Sequence, residues 1–241
     1  MTVSVCMAVY NGERYLEEQV TSILVQLTDL DELIIVDDCS TDRSVTILDA
    51  FADPRMHLYR NHNNIGVVKS FERALQKTTR DLIFFSDQDD RWLPQKVDTT
   101  KRIMQQTGCA ATVSDAIVID ETGRKILESF FEYRNSGPGF LKNFYKNSYL
   151  GCAMAIHKRV KPWVLPFPDS IPMHDEWIGL TCELRGEVVF IPEALIAYRR
   201  HTSNLSPSTR YPWSKVVKKR LAILRAIVGK TVNTRRGARQ F

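Results

Sequence analysis

Three carboxylates occur within four positions at the end of an apolar run. The run is Leu82 to Phe85, and the acidic residues are Asp87, Asp89 and Asp90. Carboxylates held this close together raise the free energy of their ionised forms unless a cation or hydrogen-bond donors compensate. An Asp-x-Asp pair at a strand end suits Mg²⁺ or Mn²⁺, which take hard oxygen ligands and complete their shells with phosphate and water. The alternative is a solvated turn in which Asp90 caps the next helix.

Polar residues also follow two earlier apolar runs. Residues 3–9 lead into Tyr10-Asn11-Gly12, and residues 32–36 lead into Asp37 and Asp38. Apolar runs and helical spacings alternate over roughly the first 90 residues, which predicts an α/β fold with a parallel sheet and right-handed crossovers. Ligands bind at the carboxyl ends of the strands in such sheets, so we expect these polar residues to share one cleft with the acidic cluster.

The elements that must position these residues can be read from apolar spacing. Beyond residue 107 the pattern loosens, and Gly151 opens an apolar run where a ligand can approach the backbone closely. Strands are predicted at 3–9, 32–36, 56–59, 81–85, 110–119, 149–156 and 188–191, and helices at 13–27, 42–51, 65–76, 93–105 and 173–184.

The motifs that the chain lacks narrow the function. No GxGxxG follows the first predicted strand, and no GxxxxGK[ST] occurs anywhere in the sequence. Their absence argues against a dinucleotide-dependent oxidoreductase and a P-loop NTPase. Two strand ends are acidic, and no glycine-rich loop is present to bind a phosphate. This pattern indicates that a metal ion, more than backbone amides, binds the phosphate.

Composition predicts a cytoplasmic globular protein. The chain has 44% hydrophobic and 25% charged residues, and its five cysteines form no CxxC pair. This cysteine usage argues against a disulfide framework or a zinc site and favours a reducing compartment. The N-terminus lacks the basic leader of a signal peptide, and no apolar run approaches the roughly 20 residues needed to span a bilayer.

The net charge of +5 hides an uneven distribution, because residues 214–241 hold nine Lys and Arg and no acidic residue. The spacing predicts an amphipathic helix over 214–228. Such a helix either lies on an anionic membrane surface, with the chain peripheral on the cytoplasmic face, or packs on the domain. No nucleic-acid recognition motif accompanies the charge, so we expect no nucleic-acid partner. The predicted apolar face comprises Val216, Val217, Leu221, Leu224, Ile227 and Val228.

Six short motifs, in order, resemble glycosyltransferase family 2, the inverting nucleotide-sugar transferases of the GT-A fold. The fourth and fifth of them are most similar to the branch that contains bacterial rhamnosyltransferases of surface-polysaccharide synthesis. The motifs are residues 5–12 (VCMAVYNG), 36–42 (VDDCSTD), 64–66 (NIG), 86–92 (SDQDDRW), 174–177 (HDEW) and 198–201 (YRRH).

The resemblance implies a fold and a division of the chain. Residues 1–205 would form a GT-A domain with a mostly parallel central sheet. A Rossmann-like, nucleotide-sugar-binding half would occupy 1–107 and an acceptor-side half 108–205, with a basic C-terminal helix and tail at 206–241. The implied reaction moves a sugar, plausibly L-rhamnose from a dTDP donor or a sugar from a UDP donor, to a hydroxyl of a growing or lipid-linked bacterial glycan.

The resemblance also implies roles for the nucleotide-binding residues. The base would lie near Ala8, Tyr10 and Asn11, with Asp37 accepting a hydrogen bond from its ring N–H. For Asp37 and Asp38 the alternative role is capping of the helix that follows. The implied nucleotide-sugar set is completed by Asp38, Asp87, Gln88, Arg199 and Arg200, the two arginines offering phosphate contacts.

The implied metal is Mn²⁺ or Mg²⁺, with Asp89 as the likelier direct ligand, Asp87 nearer the sugar, and His201 contacting metal or diphosphate. Otherwise His201 is a surface histidine in a basic stretch. Asp175 is the implied general base, and Glu176 leaves a second candidate carboxylate. The alternative for both is a favourable interaction with a helix N-terminus.

The acceptor side would include Gly151, Glu176 and Trp177, the tryptophan packing beside the site. Two other functions stay open. A nucleotidyltransferase acting on sugar phosphates also uses an α/β sheet and paired carboxylates. A non-catalytic module that binds carbohydrate or a membrane surface would need neither metal nor nucleotide.

Overall fold

The computed structural model describes residues 1–201 and 220–230, and within them nine strands form one sheet. The strands are β1 (Val3–Val9), β2 (Glu32–Asp37), β3 (Met56–Arg60), β4 (Leu82–Ser86), β5 (Arg91–Trp92), β6 (Ala111–Ile119), β7 (Lys125–Leu127), β8 (Met154–His157) and β9 (Val188–Arg199). Their order is β3-β2-β1-β4-β8-β6-β9-β5, with β7 paired to β6.

Helices cover the sheet and connect its strands. They are α1 (Leu16–Leu24), α2 (Ser44–Ala50), α3 (Val67–Lys77), α4 (Lys96–Thr107), α5 (Phe130–Arg134), α6 (Phe140–Tyr145), α7 (Lys161–Val164) and α8 (His174–Arg185), together with a helix over 220–230.

The first half of the sheet confirms the predicted α/β class. Strand β1 pairs in parallel with β2 and with β4, and β2 pairs in parallel with β3. Every residue of β2 and β4 is buried, as an uninterrupted apolar run predicts for a strand covered on both faces. The predicted bounds of β1 agree with the structure, and those of the other three strands agree within one residue.

The second half differs in strand direction. Strand β8 is antiparallel to both β4 and β6, while β9 is parallel to β6. Residues 188–199 form one strand, which contains Pro192 and extends beyond the predicted 188–191. The register with β6 jumps from Ser114–Ile191 to Asp115–Ala194, and this irregularity accommodates the proline, which has no N–H to donate.

The short elements of the second half were not predicted. Helices α5, α6 and α7 and strands β5 and β7 contain between two and six residues each. Segments this short do not complete a hydrophobic repeat, and their conformation depends on tertiary packing. The expected strand over 149–156 forms only from Met154, because residues 151–153 make a 3₁₀ turn.

The 220–230 helix packs on the domain. Ile223 is fully buried, and the Lys230 ammonium donates to the carbonyl of Leu165. The predicted apolar face is divided: Ile227 packs toward the core, whereas Leu221, Leu224 and Val228 are exposed. Val216 and Val217 lie outside the described residues. No helix in the described ranges is long and apolar enough to cross a membrane.

Close packing at Gly179 in α8 makes a stability prediction. A Cβ at this position would lie 2.5 Å from ring carbons of the buried Tyr149. We expect Gly179→Ala to lower the free energy of unfolding by about 1–3 kcal/mol, because the ring must move within a close-packed core.

Gly229→Ala is the matched control, because no atom lies within 4 Å of its would-be Cβ in the 220–230 helix. This change should leave stability unaltered or raise it by up to about 1 kcal/mol, since alanine favours the helix. Urea denaturation of both variants measures the effects, and equal stabilities would contradict the packing at Gly179.

Candidate functional site

The carboxyl ends of β1, β2 and β4 bring three polar segments to one edge of the sheet. Val9 pairs with Asp37, and Met7 pairs with Ser86, so the residues that follow these strands are neighbours. The Gln88 side chain joins two of the segments: its Oε1 accepts from the Tyr10 N–H at 2.8 Å and its Nε2 donates to the Tyr10 carbonyl at 3.1 Å. The amide therefore fixes the acidic loop against the end of β1.

Asn11 holds the first segment to the second. Its backbone N–H donates to Ser40 Oγ at 3.0 Å, and its Oδ1 accepts from the Thr41 N–H at 2.9 Å. The residue has a φ of 49°, which asparagine tolerates better than most residues. Its side chain and that of Tyr10 remain exposed, and Ala8 is partly buried beneath them.

Asp37 and Asp38 are both buried, but they have different partners. The Asp37 carboxylate accepts from the Ser40 N–H at 3.2 Å and lies 3.7 Å from Arg60 Nε. Asp38 accepts from three donors, the Asn61 amide at 2.7 Å and the N–H groups of Ile65 and Gly66 at 2.9 and 2.8 Å.

The Asp38 carboxylate thus fixes the loop over 61–66. Neither aspartate caps α2, whose N-cap residue is Arg43.

Asp87 is partly buried and lies near two other carboxylates. Burial, together with the nearby charges of Asp89 and Asp175, raises the pKa of Asp87 to about 7. A bound cation would reverse this effect, because an opposite charge favours the ionised form.

Asp89 pairs with His201, with 2.8 Å between Oδ2 and Nε2. The imidazole also lies against Tyr15, 5.3 Å between ring centroids. His201 therefore lies at the acidic cluster, as the resemblance implied, and is not a remote surface histidine. In this arrangement the Asp89 oxygen and the His201 nitrogen are hydrogen-bond partners of each other.

Arg199 binds groups of the protein's own chain. Its side chain is 3% exposed and donates to Glu18 Oε2 at 2.6 Å, and its guanidinium lies 4.5 Å above the Tyr15 ring. Its Nε donates to the Asp89 carbonyl at 2.8 Å, so it anchors the acidic loop from behind. Arg200 is less buried, with its guanidinium 3.4 Å from the Tyr198 hydroxyl.

Asp175 lies at the start of α8, in the same cleft as Asp87. It is 9% exposed, and burial raises its pKa to about 7. Gly151 allows this close approach, since a Cβ there would lie 3.4 Å from Asp175 Cβ and 3.1 Å from His174 Nε2. A carboxyl with a pKa near 7 suits proton transfer at neutral pH.

The adjacent Glu176 faces away from this cleft, toward the 220–230 helix. Its carboxylate forms an ion pair with Arg220, whose guanidinium lies 6.0 Å from the Phe144 ring centroid. Trp177 is 1% exposed and donates from Nε1 to the Val164 carbonyl at 3.0 Å, so it packs in the core. Of the two candidate carboxylates, Asp175 alone faces Asp87.

Sequence reasoning missed several buried polar residues around the cleft. Gln19 donates to Ser86 Oγ at 2.6 Å and to the Asp87 carbonyl at 3.1 Å. It lies in the apolar stripe of α1, and a polar residue within such a stripe is a usable signal. His174 stacks on Phe71 at 4.0 Å, and burial lowers its pKa to about 3, so it is neutral. Lys96 and Cys152, also missed, lie behind the acidic loop.

Comparison with known proteins identifies the family. Residues 4–160 match the family model described as Glycosyl transferase family 2. The chain belongs to this family. Membership selects the glycosyltransferase from the three functions that the sequence left open.

Relatives of the chain include glycosyltransferases of cell-surface polysaccharide synthesis. One is provisionally named a teichuronic acid biosynthesis glycosyltransferase, TuaG of Bacillus subtilis, and is 28% identical over 85% of this chain and 81% of its own length. Another is named dTDP-rhamnosyl transferase RfbG, from Shigella flexneri, and is 27% identical over 82% of this chain and 72% of its length. Other relatives are matched over 45 to 67% of their length.

Solved structures confirm the GT-A fold. Residues 1–349 of S. aureus TarS in complex with UDP-GlcNAc superpose with a TM-score of 0.74 at 19% identity, covering 97% of this chain and 67% of that one. The fold class expected from the sequence is therefore confirmed.

Burial of Asp175 makes a prediction about pH. Its pKa is about 7 in the folded state against an ordinary value of 3.8, so between these values the folded state holds more protons than the unfolded state. Stability from this group is then lost as the pH rises through the window. Asp175→Asn removes the titration and should gain stability relative to wild type from about pH 4 to about pH 7, by at most about 4 kcal/mol.

Urea unfolding at the two pH values measures this difference, with Asp49→Asn, at an exposed carboxylate of α2, as the control. A difference between wild type and Asp175→Asn that stays constant with pH would contradict the burial of the Asp175 carboxyl.

Proposed function

We propose that the chain is an inverting, metal-dependent glycosyltransferase with Asp175 as its general base. The observation that carries the proposal is the approach of this buried carboxyl to Asp87 across one cleft. Although Asp87 and Asp175 are 88 positions apart in the sequence, the charge of Asp175 helps to raise the pKa of Asp87. The donor side and the base thus face a common space, as a single displacement at an anomeric carbon requires.

Inversion follows from a direct displacement. Asp175 takes the proton of the acceptor hydroxyl while that oxygen attacks the anomeric carbon, and the nucleoside diphosphate departs from the opposite face. The pKa of about 7 allows the carboxyl to be ionised before attack and to hold the proton afterwards. The neutral His174 and Gly151 pack against its Cβ side and restrict its orientation.

The residues present fit the divalent cation that the family implies. Asp87 and Asp89 offer hard oxygens and His201 an imidazole, a donor set that suits Mn²⁺ or Mg²⁺. Burial raises the pKa of Asp87 most, and the charges of Asp89 and Asp175 raise it further; such an ion would balance those charges. When bound, the ion would neutralise charge on the diphosphate.

The nucleotide would lie along the loops that follow β1 and β2. Tyr10 and Asn11 are the exposed groups there, with Ala8 beneath them and Asp37 as acceptor for the base. Arg200 is the arginine we assign to phosphate. Gln88, Asp38 and Arg199 act as positioning residues, because their polar groups bind the protein's own loops.

The donor we propose is dTDP-L-rhamnose. The sequence motifs and the name of the Shigella flexneri relative both support a rhamnosyl donor. A UDP-linked sugar is the alternative, since S. aureus TarS has been crystallised with UDP-GlcNAc and with UDP. The acceptor would be a hydroxyl of a growing or lipid-linked surface glycan that enters beside Gly151.

The test is a donor panel assayed with Mn²⁺ and without it. We expect binding and slow hydrolysis of dTDP-rhamnose in preference to UDP-GlcNAc, lost on chelation of the metal. Asp175→Asn should lower kcat by about 10²–10⁴-fold with little change in donor affinity, because proton transfer is removed and the donor side is intact.

Glu176→Gln is the matched control at the neighbouring carboxylate. It should keep activity within a few fold, because Glu176 faces Arg220 and its amide replacement still accepts a hydrogen bond. An Asp175→Asn enzyme with wild-type kcat, or equal losses in the two variants, would reject Asp175 as the base.

We also propose that the chain docks on the cytoplasmic face of a membrane. Leu221, Leu224 and Val228 form an exposed apolar stripe on the 220–230 helix. The nine basic residues over 214–241, with no acidic residue among them, complement an anionic lipid surface.

Vesicle co-sedimentation tests the docking. Wild type should bind phosphatidylglycerol-containing vesicles and not phosphatidylcholine vesicles, and Leu224→Glu should weaken binding at least about 5-fold by placing charge in the apolar stripe. Leu184→Glu, at an exposed leucine of α8, is the control. Equal binding to both vesicle types would exclude electrostatic docking.

A further inference from the structure

A cavity outside the catalytic cleft lies between α8 and the 220–230 helix. Its volume is about 300 Å³, at the lower end of the range for small-molecule sites. None of the cleft residues Asp87, Asp89 and Asp175 lines it, so the cavity is separate from the donor and metal sites. The lining residues are Trp177, Thr181, Leu184 and Arg185 of α8 and Ile227 and Lys230 of the 220–230 helix.

Half of the lining side chains are apolar. Trp177 donates its only polar group, the indole N–H, to the Val164 carbonyl at 3.0 Å, so its ring offers carbon surface to a ligand. Ile227 packs toward the core, and Leu184 is half exposed. An apolar wall of this kind favours a hydrocarbon group over water, which needs two or more polar partners.

One polar group in the wall lacks a hydrogen-bond partner. Thr181 is 5% exposed, and its Oγ1 is buried without a partner among residues 1–201 and 220–230. A threonine inside a helix often returns its hydroxyl to a carbonyl of the preceding turn, and Thr181 does not do so. Because a buried hydroxyl without a partner is unfavourable, this group is a donor that a ligand in the cavity can use.

Two positive charges lie at the ends of the two helices. Lys230 donates to the carbonyls of Leu165 and Pro166, which hold its ammonium at the cavity wall. Burial lowers the pKa of Lys230 most, the nearby charge of Arg185 lowers it further, and Glu72 acts in the opposite direction.

Arg185 is exposed and forms no ion pair within residues 1–201 and 220–230. It is the last residue of α8, whose carboxyl end contributes about half a negative charge. Two full positive charges outweigh that partial charge, so this end of the cavity favours an anion.

The number of donor groups favours a phosphate over a carboxylate. A phosphate monoester carries a charge of about −1.5 to −2 at pH 7 and has three strong acceptor oxygens. Two cations and one hydroxyl supply a donor group for each of these oxygens and balance the charge. A carboxylate has only one charge and two oxygens, and would leave one of the three donor groups without an acceptor.

We propose that this cavity binds the phosphate monoester of a lipid. Arg185, Lys230 and the Thr181 hydroxyl hold the phosphate, and the first methylenes of the chain pack against Trp177 and Ile227. Since the lipid contacts both helices, its binding ties the 220–230 helix to the domain.

The position of the cavity suits a ligand that comes from a membrane. Ile223, Ile227 and Lys230 share the face of the 220–230 helix that points toward the domain. Leu221, Leu224 and Val228 lie on the opposite face at about 100° per residue, and they form the stripe to which we assigned membrane docking.

Isothermal titration calorimetry of the purified full chain tests the site, in the presence of a chelator and without donor, acceptor or vesicles. The probe is octyl phosphate below its micellar concentration. Wild type should bind one equivalent at least about 10-fold more tightly than inorganic phosphate, which has no chain to bury, or octanoate, which has a single charge. Equal affinity for either of these two ligands, or no binding of octyl phosphate, would overturn the proposal.

Arg185→Gln should weaken octyl phosphate binding at least about 5-fold, since a charge-assisted hydrogen bond is lost. Thr181→Val keeps the shape of the side chain, removes the hydroxyl and should weaken binding about 3-fold or more. Arg102→Gln, at an exposed arginine of α4, changes the net charge equally and is the matched control, with unchanged binding.

Circular dichroism checks that each variant folds, and the exposed Arg185 decides the question if Thr181→Val does not fold. Equal affinities of Arg185→Gln and Arg102→Gln would contradict a phosphate bound at this cavity. The calorimetric result depends neither on sugar transfer nor on docking to vesicles, so it stands apart from the tests of the proposed function.

Discussion

Electrostatic repulsion in a poorly hydrated cleft is the constraint to which the rest of the structure responds. Parallel pairing of β1, β2 and β4 brings three acidic or amide segments to one edge of the sheet. Helix α8 adds Asp175 from the far end of the chain. Burial raises the pKa of both Asp87 and Asp175, and the nearby charges of Asp89 and Asp175 raise that of Asp87 further. In the reaction that we propose, these are the groups that bind a cation and exchange a proton.

Two cationic side chains of the protein, Arg199 and Lys96, lie behind the acidic loop and hold it in place. The negative charge on the cleft side of the loop is therefore left for ligands to balance. The Arg199 side chain donates hydrogen bonds to the Glu18 carboxylate and the Asp89 carbonyl, and its backbone N–H donates to the Asp90 carboxylate. Lys96 lies on the inner side against the Cys152 carbonyl. Charge-assisted hydrogen bonds of this kind fix the geometry of the loop more than they stabilise the fold, since burying each cation costs desolvation free energy. The acidic loop is thus rigid on the side of the core and incompletely neutralised on the side of the cleft.

The sequence predicted the first half of the fold well, because buried parallel strands and amphipathic helices leave continuous patterns. It predicted the second half poorly, since β8 and β9 run in directions that depend on distant partners and α5 to α7 are too short to show a period. For the site residues, the sequence predicted which of them follow the end of a strand, but it did not predict the direction in which each side chain points. Asp38 and Arg199 have the side chains expected of a nucleotide-sugar site, but both bind groups of their own chain. Glu176 points away from the cleft that Asp175 faces and pairs with Arg220 instead. Only tertiary contacts distinguish such neighbours.

The ion pair between Glu176 and Arg220 has a consequence for local unfolding. If the 220–230 helix detaches, Glu176 at the first turn of α8 loses the cation that pairs with its carboxylate. The free energy of fraying at this helix therefore includes the loss of that ion pair, which salt screens only weakly because both side chains are largely buried. Hydrogen exchange at the amides of the helix measures this local opening directly.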